Sequence, residues 1–371
     1  MDRQPETNSL LHQFAALNDP RQLVKVVYPL PEILLLVLCA SIAAADDFVE
    51  VEHWGNTHLD FLRRFLPYKD GIPSHDALND LMNALDHKLF SECFVAWVNG
   101  LRDSDLEVVA VDGKTSRRTH ARSKGRQALH MVSAWASGQR LVLGQEATEE
   151  KSNEITAIPR LLQRLELKAA LVTIDAMGCQ TKIAATILER GADYLLAVKD
   201  NQPTLHDDIK RYFDDAPAAE LQTIQTTDGD HGRIEVRRHV VSHKVDWLAG
   251  DSRFPGIKSI AMVENTVERN GETSCERRYY ICSLALLATL FADALRSHWH
   301  IENRLHWVLD VIFREDLSRL RTGNGPHNMA TVRHMVMNLL RSAKPGKSLK
   351  VRRKLAAWDP HYLHAILLGT G

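Results

Sequence analysis

Apolar residues recur along this chain with two different periods, and the change between them organises the reading. From the start to about residue 100 the spacing is three and four, the mark of helices. A continuous apolar run, "ILLLVLCASIAAA" (33–45), is followed by "THLDFLRRFLPY" and then "HDALNDLMNALDHKLFSECFVAWVNGL". The run is shorter than the roughly 20 residues a bilayer span needs and ends in Asp46 and Asp47, so it predicts a buried helix and no membrane partner. In "GIPSHDAL" (71–78), Ser74 caps the helix that follows; a His75–Asp76 metal pair is the costlier explanation of the same letters.

At Leu106 the period becomes two. "LEVVAVDGKTS", "ALHMVSAWAS" and "LVLGQEAT" predict three short antiparallel strands. "EITAIPRLLQRL" predicts an amphipathic helix, "ALVTIDA" a fourth strand, "QTKIAATILERG" a helix and "ADYLLAV" a fifth strand. Three strands, then helix, strand, helix, strand is the element order of the ribonuclease H-like α/β fold, though other α/β folds share it. After a helix around "TLHDDIKRYF", residues 220–284 turn β-rich and predict an insertion. Helices return with "DALRSHWHIENRLHWVLDVIF" and "NMATVRHMVMNLLRS". The expected organisation is therefore an all-helical N-terminal domain (1–100), a catalytic domain (104–340) with a β-rich insertion (about 220–284), and a basic C-terminal tail (341–371).

Composition adds little until charge is read locally. Lys and Arg number 46 against 47 acids, so the net charge of −1 exerts no overall pull on a polyanion. Yet residues 113–145 contain no acid while Lys114, Arg117, Arg118, Arg122, Lys124, Arg126 and Arg140 are basic; residues 341–354 repeat the pattern with Arg341, Lys344, Lys347, Lys350, Arg352, Arg353 and Lys354. Either block alone is ordinarily a solvated face; two in a neutral protein shift the balance somewhat toward a nucleic-acid surface. Five cysteines without a C-x-x-C pair indicate neither a disulfide framework nor a cysteine zinc site, and fit a reducing cytoplasm.

The candidate chemistry lies in carboxylates. Asp112 ends the first strand and Asp175 the fourth, each after a buried apolar run and before a small-residue turn. In a ribonuclease H-like sheet those strands are neighbours, so the two charges meet at one edge, where burying them unpaired is costly. A hard divalent cation such as Mg2+ removes the conflict. In "HWHIENRLHWVLD", His298, Glu302, His306 and Asp310 share an i, i+4 row beside an apolar face, where Glu302 can serve as a third ligand. Zinc held by the histidines is the weaker alternative, because the spacing is not H-E-x-x-H.

At these residues the sequence resembles the DDE transposases of bacterial insertion sequences, most closely the H-repeat-associated group. The resemblance rests on "YPLPEILLLVLCA", "GIPSHD", "VVAVDGKTSR", "EKSNEITAIPRLL", "LVTIDAMGCQ", "GADYLLAVKDNQ", "HGRIEVRR" and "HWHIENRLHWVLDVIFRED", in order along nearly the whole chain. It implies a ribonuclease H-like domain with the triad Asp112, Asp175 and Glu302, holding two Mg2+ ions for which Mn2+ substitutes. It also implies hydrolysis at the element's ends, strand transfer by the freed 3′ hydroxyl, double-stranded DNA as partner, a homodimer on DNA, and a place at the bacterial nucleoid. Related transposases often carry Tyr, Arg and Lys around the Glu; the corresponding places here hold Leu295, His298 and Leu309. Expected DNA contacts are Lys114, Arg117, Arg118, Lys199, Asn201, Gln202, Arg233, Arg237, His298 and His306, while Trp247, Trp299 and Trp307 are expected mainly to fill the core. The alternatives are a catalytically silent DNA-binding remnant and a metal-dependent nuclease that does not join strands.

Overall fold

The computed structural model describes residues 6–102, 108–120, 127–148, 154–230, 233–248, 254–269, 272–343 and 346–369. Six helices come first: α1 (Glu6–Ala15), α2 (Leu30–Ile42), α3 (Phe48–Thr57), α4 (Leu59–Leu62), α5 (His75–Ala84) and α6 (His87–Leu101). Helix α2 is the expected buried run. It is apolar on every side, and such a helix can exist only inside a core. Ser74 caps α5 by accepting from the Ala77 amide, and His75 turns instead to Glu52, 2.7 Å away. Among the described residues no helix is long and apolar enough to cross a membrane.

Then come β1 (Val108–Ser116), β2 (Leu129–Ala136), β3 (Leu141–Ala147), α7 (Glu154–Arg164), β4 (Leu171–Ile174), α8 (Thr181–Glu189), β5 (Asp193–Val198) and α9 (Pro203–Asp215). The β-rich stretch follows as β6 (Gln222–Asp230), β7 (Arg233–Ser242), β8 (Ser259–Arg269) and β9 (Glu272–Cys282). Among the described residues, nine strands form one sheet in the order β3-β2-β1-β4-β5-β9-β8-β7-β6. Strands β1, β4 and β5 are mutually parallel; β2 and β3 continue antiparallel on one side, and β9 pairs antiparallel with β5 on the other. The β-rich stretch therefore extends the same sheet, because β9 supplies the backbone partners that β5 would otherwise leave bare at an edge.

The chain ends with α10 (Ala288–His300), a π-helical turn (Ile301–His306), α11 (Trp307–Val311), α12 (Gly325–Ser342), α13 (Leu349–Trp358) and α14 (Pro360–Leu367). Helix α12 is buried along nearly its whole length and packs on α2, α5, α6 and β3. Asn338 is matched there to both backbone groups of Val142, at 3.0 Å each. Among the described residues the larger apolar cluster runs from Leu10 to Leu367, and a second, around Tyr280 and Phe291, packs α10 on the sheet.

The end of the chain is not a solvated basic tail. Arg352 donates to the carbonyls of Lys347, Leu340 and Ala343, and Arg353 to those of Ile312 and Ser41. Both guanidiniums are buried, since orphan carbonyls at helix ends draw cations inward. Arg341 lies over the Trp135 ring, 4.4 Å from its centre. Lys347, Lys350 and Lys354 stay exposed, while Lys344 lies outside the described residues.

Candidate active site

Strand register creates the site. Val111 pairs with Ile174 across the parallel β1–β4 ladder, so Asp112 and Asp175 are the next residues on the two neighbouring strands. Alternation along β1 sends Asp112 and Lys114 to one face of the sheet and Gly113 to the other. On the first face lies the helical run carrying Glu302; on the second lies α7. Thr173 fixes the facing of β4, because its hydroxyl meets His298 Nδ1 on α10 at 2.9 Å.

Each aspartate keeps part of its carboxylate uncommitted. Asp112 Oδ1 accepts from the Gly113 amide at 2.8 Å, and Oδ2 faces His306 Nδ1 at 3.6 Å, beyond hydrogen-bond reach. Asp175 caps the short turn after β4: Oδ1 accepts from the Met177 and Gly178 amides at 3.1 and 3.3 Å, with no such bond to Oδ2. Gly178 makes that turn possible, because a Cβ there would lie 2.3 Å from Ile174. The carboxylate at the end of "LVTID" is thus a turn cap as well as a candidate ligand.

Burial pushes the Asp112 pKa up to about 7, reinforced by the charges of Glu154, Asp175 and Glu302. Asp175 is raised too, by burial first and then by Glu154, with Lys199 pulling the other way. An acid-rich edge that cannot comfortably ionise has the donor chemistry of a hard-cation site: oxygen ligands, excess negative charge and partial burial. Among the described residues no three acidic, histidine or cysteine side chains converge as a ready-made cage.

Glu302 stands exposed at the second position of the π turn, whose closing bond runs from the Trp307 amide to the Glu302 carbonyl. The sequence gives no sign of this turn; an i, i+4 row reads as ordinary α-helix. Such one-turn widenings gather at functional positions. His306, at the end of the same turn, is held neutral by burial, which lowers its pKa to about 4; His298 is lowered to about 4 for the same reason. Both histidines expected on DNA therefore sit between helix and sheet.

The other expected DNA contacts divide into two groups. Asn201 and Gln202 donate to the carbonyls of Ala176 and Cys179, at 2.6 and 3.0 Å, and so brace the Asp175 turn from the loop after β5. Lys114 is buried against Asp310 and Glu315, and Arg237 is paired with Asp228 and Glu235. Exposed cations remain at Lys199, beside Asp175, and at Arg117 and Arg118 beyond β1, although Arg117 also meets Asp316. Arg122, Lys124, Arg126 and the side chain of Arg233 lie outside the described residues. The tryptophans overturn the expectation of core packing: Trp247, Trp299 and Trp307 are 39%, 48% and 54% exposed. Arg278 lies over Trp299, which keeps that ring at the surface near Glu302.

Sequence reasoning missed Glu154. It opens α7, its Oε1 lies 2.8 Å from His130 Nε2, and His130 Nδ1 meets the Thr115 hydroxyl at 2.7 Å. The Glu154 carboxylate presses on Gly113 so closely that a Cβ there would be 2.1 Å from it. The available signal was a glycine directly after a candidate ligand, beside a strand whose helix begins with an acid. A cavity of about 960 Å3 opens on this side, reached by Thr115, His130, Glu154 and Met177.

Comparisons with known proteins identify the family. Residues 103–339 match the family model described as "Transposase DDE domain", and residues 11–98 match the "DDE_Tnp_1-associated" model. The chain is 39% identical over 378 residues to the H repeat-associated protein YhhI of Escherichia coli K12, covering 99% of each chain. It is 40% identical to YncI of Escherichia coli O157:H7, covering 97% of this chain and 94% of that one. Among solved structures it overlays on a piggyBac transposase synaptic complex with hairpin DNA at a TM-score of 0.46 and 10% identity, covering 99% of this chain and 84% of that one.

Proposed function

The chain belongs to the transposase DDE-domain family, and on that premise we propose that it cuts DNA at the ends of an insertion sequence and joins the freed ends to target DNA. One observation carries the reading: Asp112, which lies within β1 and not at its end as the sequence suggested, and Asp175, one residue past β4, stand at the same level of adjacent parallel strands, on the sheet face covered by the helical run that bears Glu302. The strand order β3-β2-β1-β4-β5 supports a ribonuclease H-like catalytic unit, with β6 to β9 as its insertion.

In this reading Asp112, Asp175 and Glu302 hold Mg2+ or Mn2+. The ions, when bound, activate the attacking oxygen and stabilise the leaving one. The protein's own residues set the stage. Asp112 and Asp175 turn free oxygens toward one edge, the Asn201 and Gln202 braces fix the second of them, and neutral His306 closes the space behind Asp112. Lys199, Arg117 and Arg118 are placed to meet phosphates, and exposed Trp299 and Trp307 offer aromatic faces to an unpaired base. Double-stranded DNA is the partner, and two DNA ends call for two copies of the chain.

The test is nicking of supercoiled DNA carrying the element's ends, in Mg2+ or Mn2+, by the folded wild type and by Asp112→Ala, Asp175→Ala and Glu302→Ala. Nicking lost in all three variants supports the reading. A joined product separates a transposase from a plain nuclease. A folded wild type that binds the ends and never cuts them is the catalytically silent protein instead.

A further inference from the structure

Lys114 follows Asp112 by two residues and shares its face of β1. Its side chain is 9% exposed, with Nζ 2.7 Å from Asp310 Oδ1, 2.9 Å from Glu315 Oε2 and 3.8 Å from Asp316 Oδ1. Glu315 is also buried and has a second cation, Arg333 of α12, at 3.5 Å. Asp316 accepts from the Arg117 amide at 3.1 Å, and its other oxygen lies 3.4 Å from Arg117 Nε. Every one of these acids belongs to the segment that continues from the Glu302 turn, and Arg314, between them, takes a left-handed backbone with φ 50°.

Such a buried group is an expensive way to gain stability, since desolvating the charges offsets much of their attraction and apolar packing does as well. What buried charges add is a demand for particular partners: Lys114 is compensated only while Asp310 and Glu315 stay within reach, whereas apolar side chains tolerate sliding. That demand matters here, because the π turn between α10 and α11 shifts the register of the helix, so Glu302 and Asp310 are not held in the rows of one regular α-helix.

We propose that Lys114 is a positioning residue: by clasping Asp310 and Glu315 it fixes the helical run bearing Glu302 against the strand bearing Asp112. This rests on the transposase reading for its catalytic consequence, but not for its structural one. Lys114 then does its work without touching DNA.

The experiment uses the full chain as wild type, Lys114→Met and the double variant Lys114→Met/Asp310→Asn, which removes the carboxylate left unpaired by the first change. In Lys114→Met, amide hydrogen exchange across residues 301–311 rises about ten-fold, while strands β4 and β5 keep their protection. The nicking rate at saturating DNA falls about a hundred-fold, as expected for a misplaced ligand, and the DNA Kd stays within about two-fold because no phosphate contact is lost. The double variant regains thermal stability but neither the exchange protection nor the rate. Unchanged exchange in Lys114→Met overturns the proposal. So does a double variant that recovers rate together with stability, which makes the role merely structural, or a loss of DNA affinity at constant rate, which makes Lys114 a DNA contact. If the wild type does not nick, the transposase reading fails, and exchange alone decides the clasp.

Discussion

Asp112 and Asp175 stand at one level on neighbouring parallel strands, one residue past the paired Val111 and Ile174. Two carboxylates so placed burden the folded state whenever both are ionised and nothing neutralises them. The size of that burden, and what relieves it, can be measured without any DNA.

Without divalent cation, stability should fall as pH rises through the window between the two values for Asp112, 3.8 unfolded and about 7 folded. The native state holds the proton more tightly, so the penalty is absent below the lower value and complete above the upper one. About three pH units correspond to an upper limit on the order of 4 kcal/mol. Asp112→Asn should match the wild type near the bottom of the window and exceed it in urea-unfolding free energy above the top. His306, lowered to about 4, acts in the opposite sense, costing stability as pH falls below its ordinary value, and is common to both proteins. A gap between the two proteins that does not widen with pH would contradict this account of Asp112.

Mg2+ or Mn2+ should raise the melting temperature of the wild type above pH 7 and leave Asp112→Asn unchanged. Binding to the native state alone contributes about 2.7 kcal/mol at a hundred times the Kd. Equal shifts in both proteins would place the cation elsewhere.

Gly113→Ala should cost roughly 1–3 kcal/mol, the range for overpacking, because its Cβ would enter the space of the Glu154 carboxylate. Glu154 ends in a flexible side chain, so the strain should be released by losing its contact with His130. Adding Glu154→Ala should then recover part of the loss, since His130 Nε2 would still lie 2.5 Å from the new Cβ, and a double-mutant cycle in denaturant reads the coupling directly.

The C-terminal arginines and lysines should separate cleanly. Arg353→Met leaves the Ile312 and Ser41 carbonyls without their donor and should cost about 2–4 kcal/mol of stability, with an unchanged salt dependence of DNA binding. Lys350→Gln/Lys354→Gln, both at exposed positions, should leave the melt alone. If both meet phosphates, the slope of log Kd against log salt drops by about 1.8.

Asp175 was legible because it follows a buried strand and precedes a tight turn, a pattern confined to about ten residues of sequence; the same pattern picked out Asp112, but there β1 runs on to Ser116 and no turn follows. Lys114 was not: its partner Glu315 lies 201 positions away, and locally it reads as one more cation in a basic block. Arg352 and Arg353 misled for the same reason, since what absorbs them is the set of carbonyls at the ends of other segments. Glu154 was hidden by its place in a helix's first turn, where an acid is ordinary. Asn201 and Gln202 were placed at the right edge of the sheet, but their amides brace the Asp175 turn. Five strands could be read in order from their apolar runs. That β6 to β9 join the same sheet depends on β5 meeting β9, a pairing between segments about eighty residues apart that no local pattern encodes.

Helix α12 closes the core against α2, and this has a consequence during synthesis. The N-terminal helices leave the ribosome first, and α2 has no polar face to show to water. Helices α1 and α3 cover part of it early, but the cover from residues 325–342 arrives some three hundred residues later. At about 5–20 residues per second that wait is on the order of 15–60 seconds. A chain cut short upstream of α12 leaves that part of α2 uncovered.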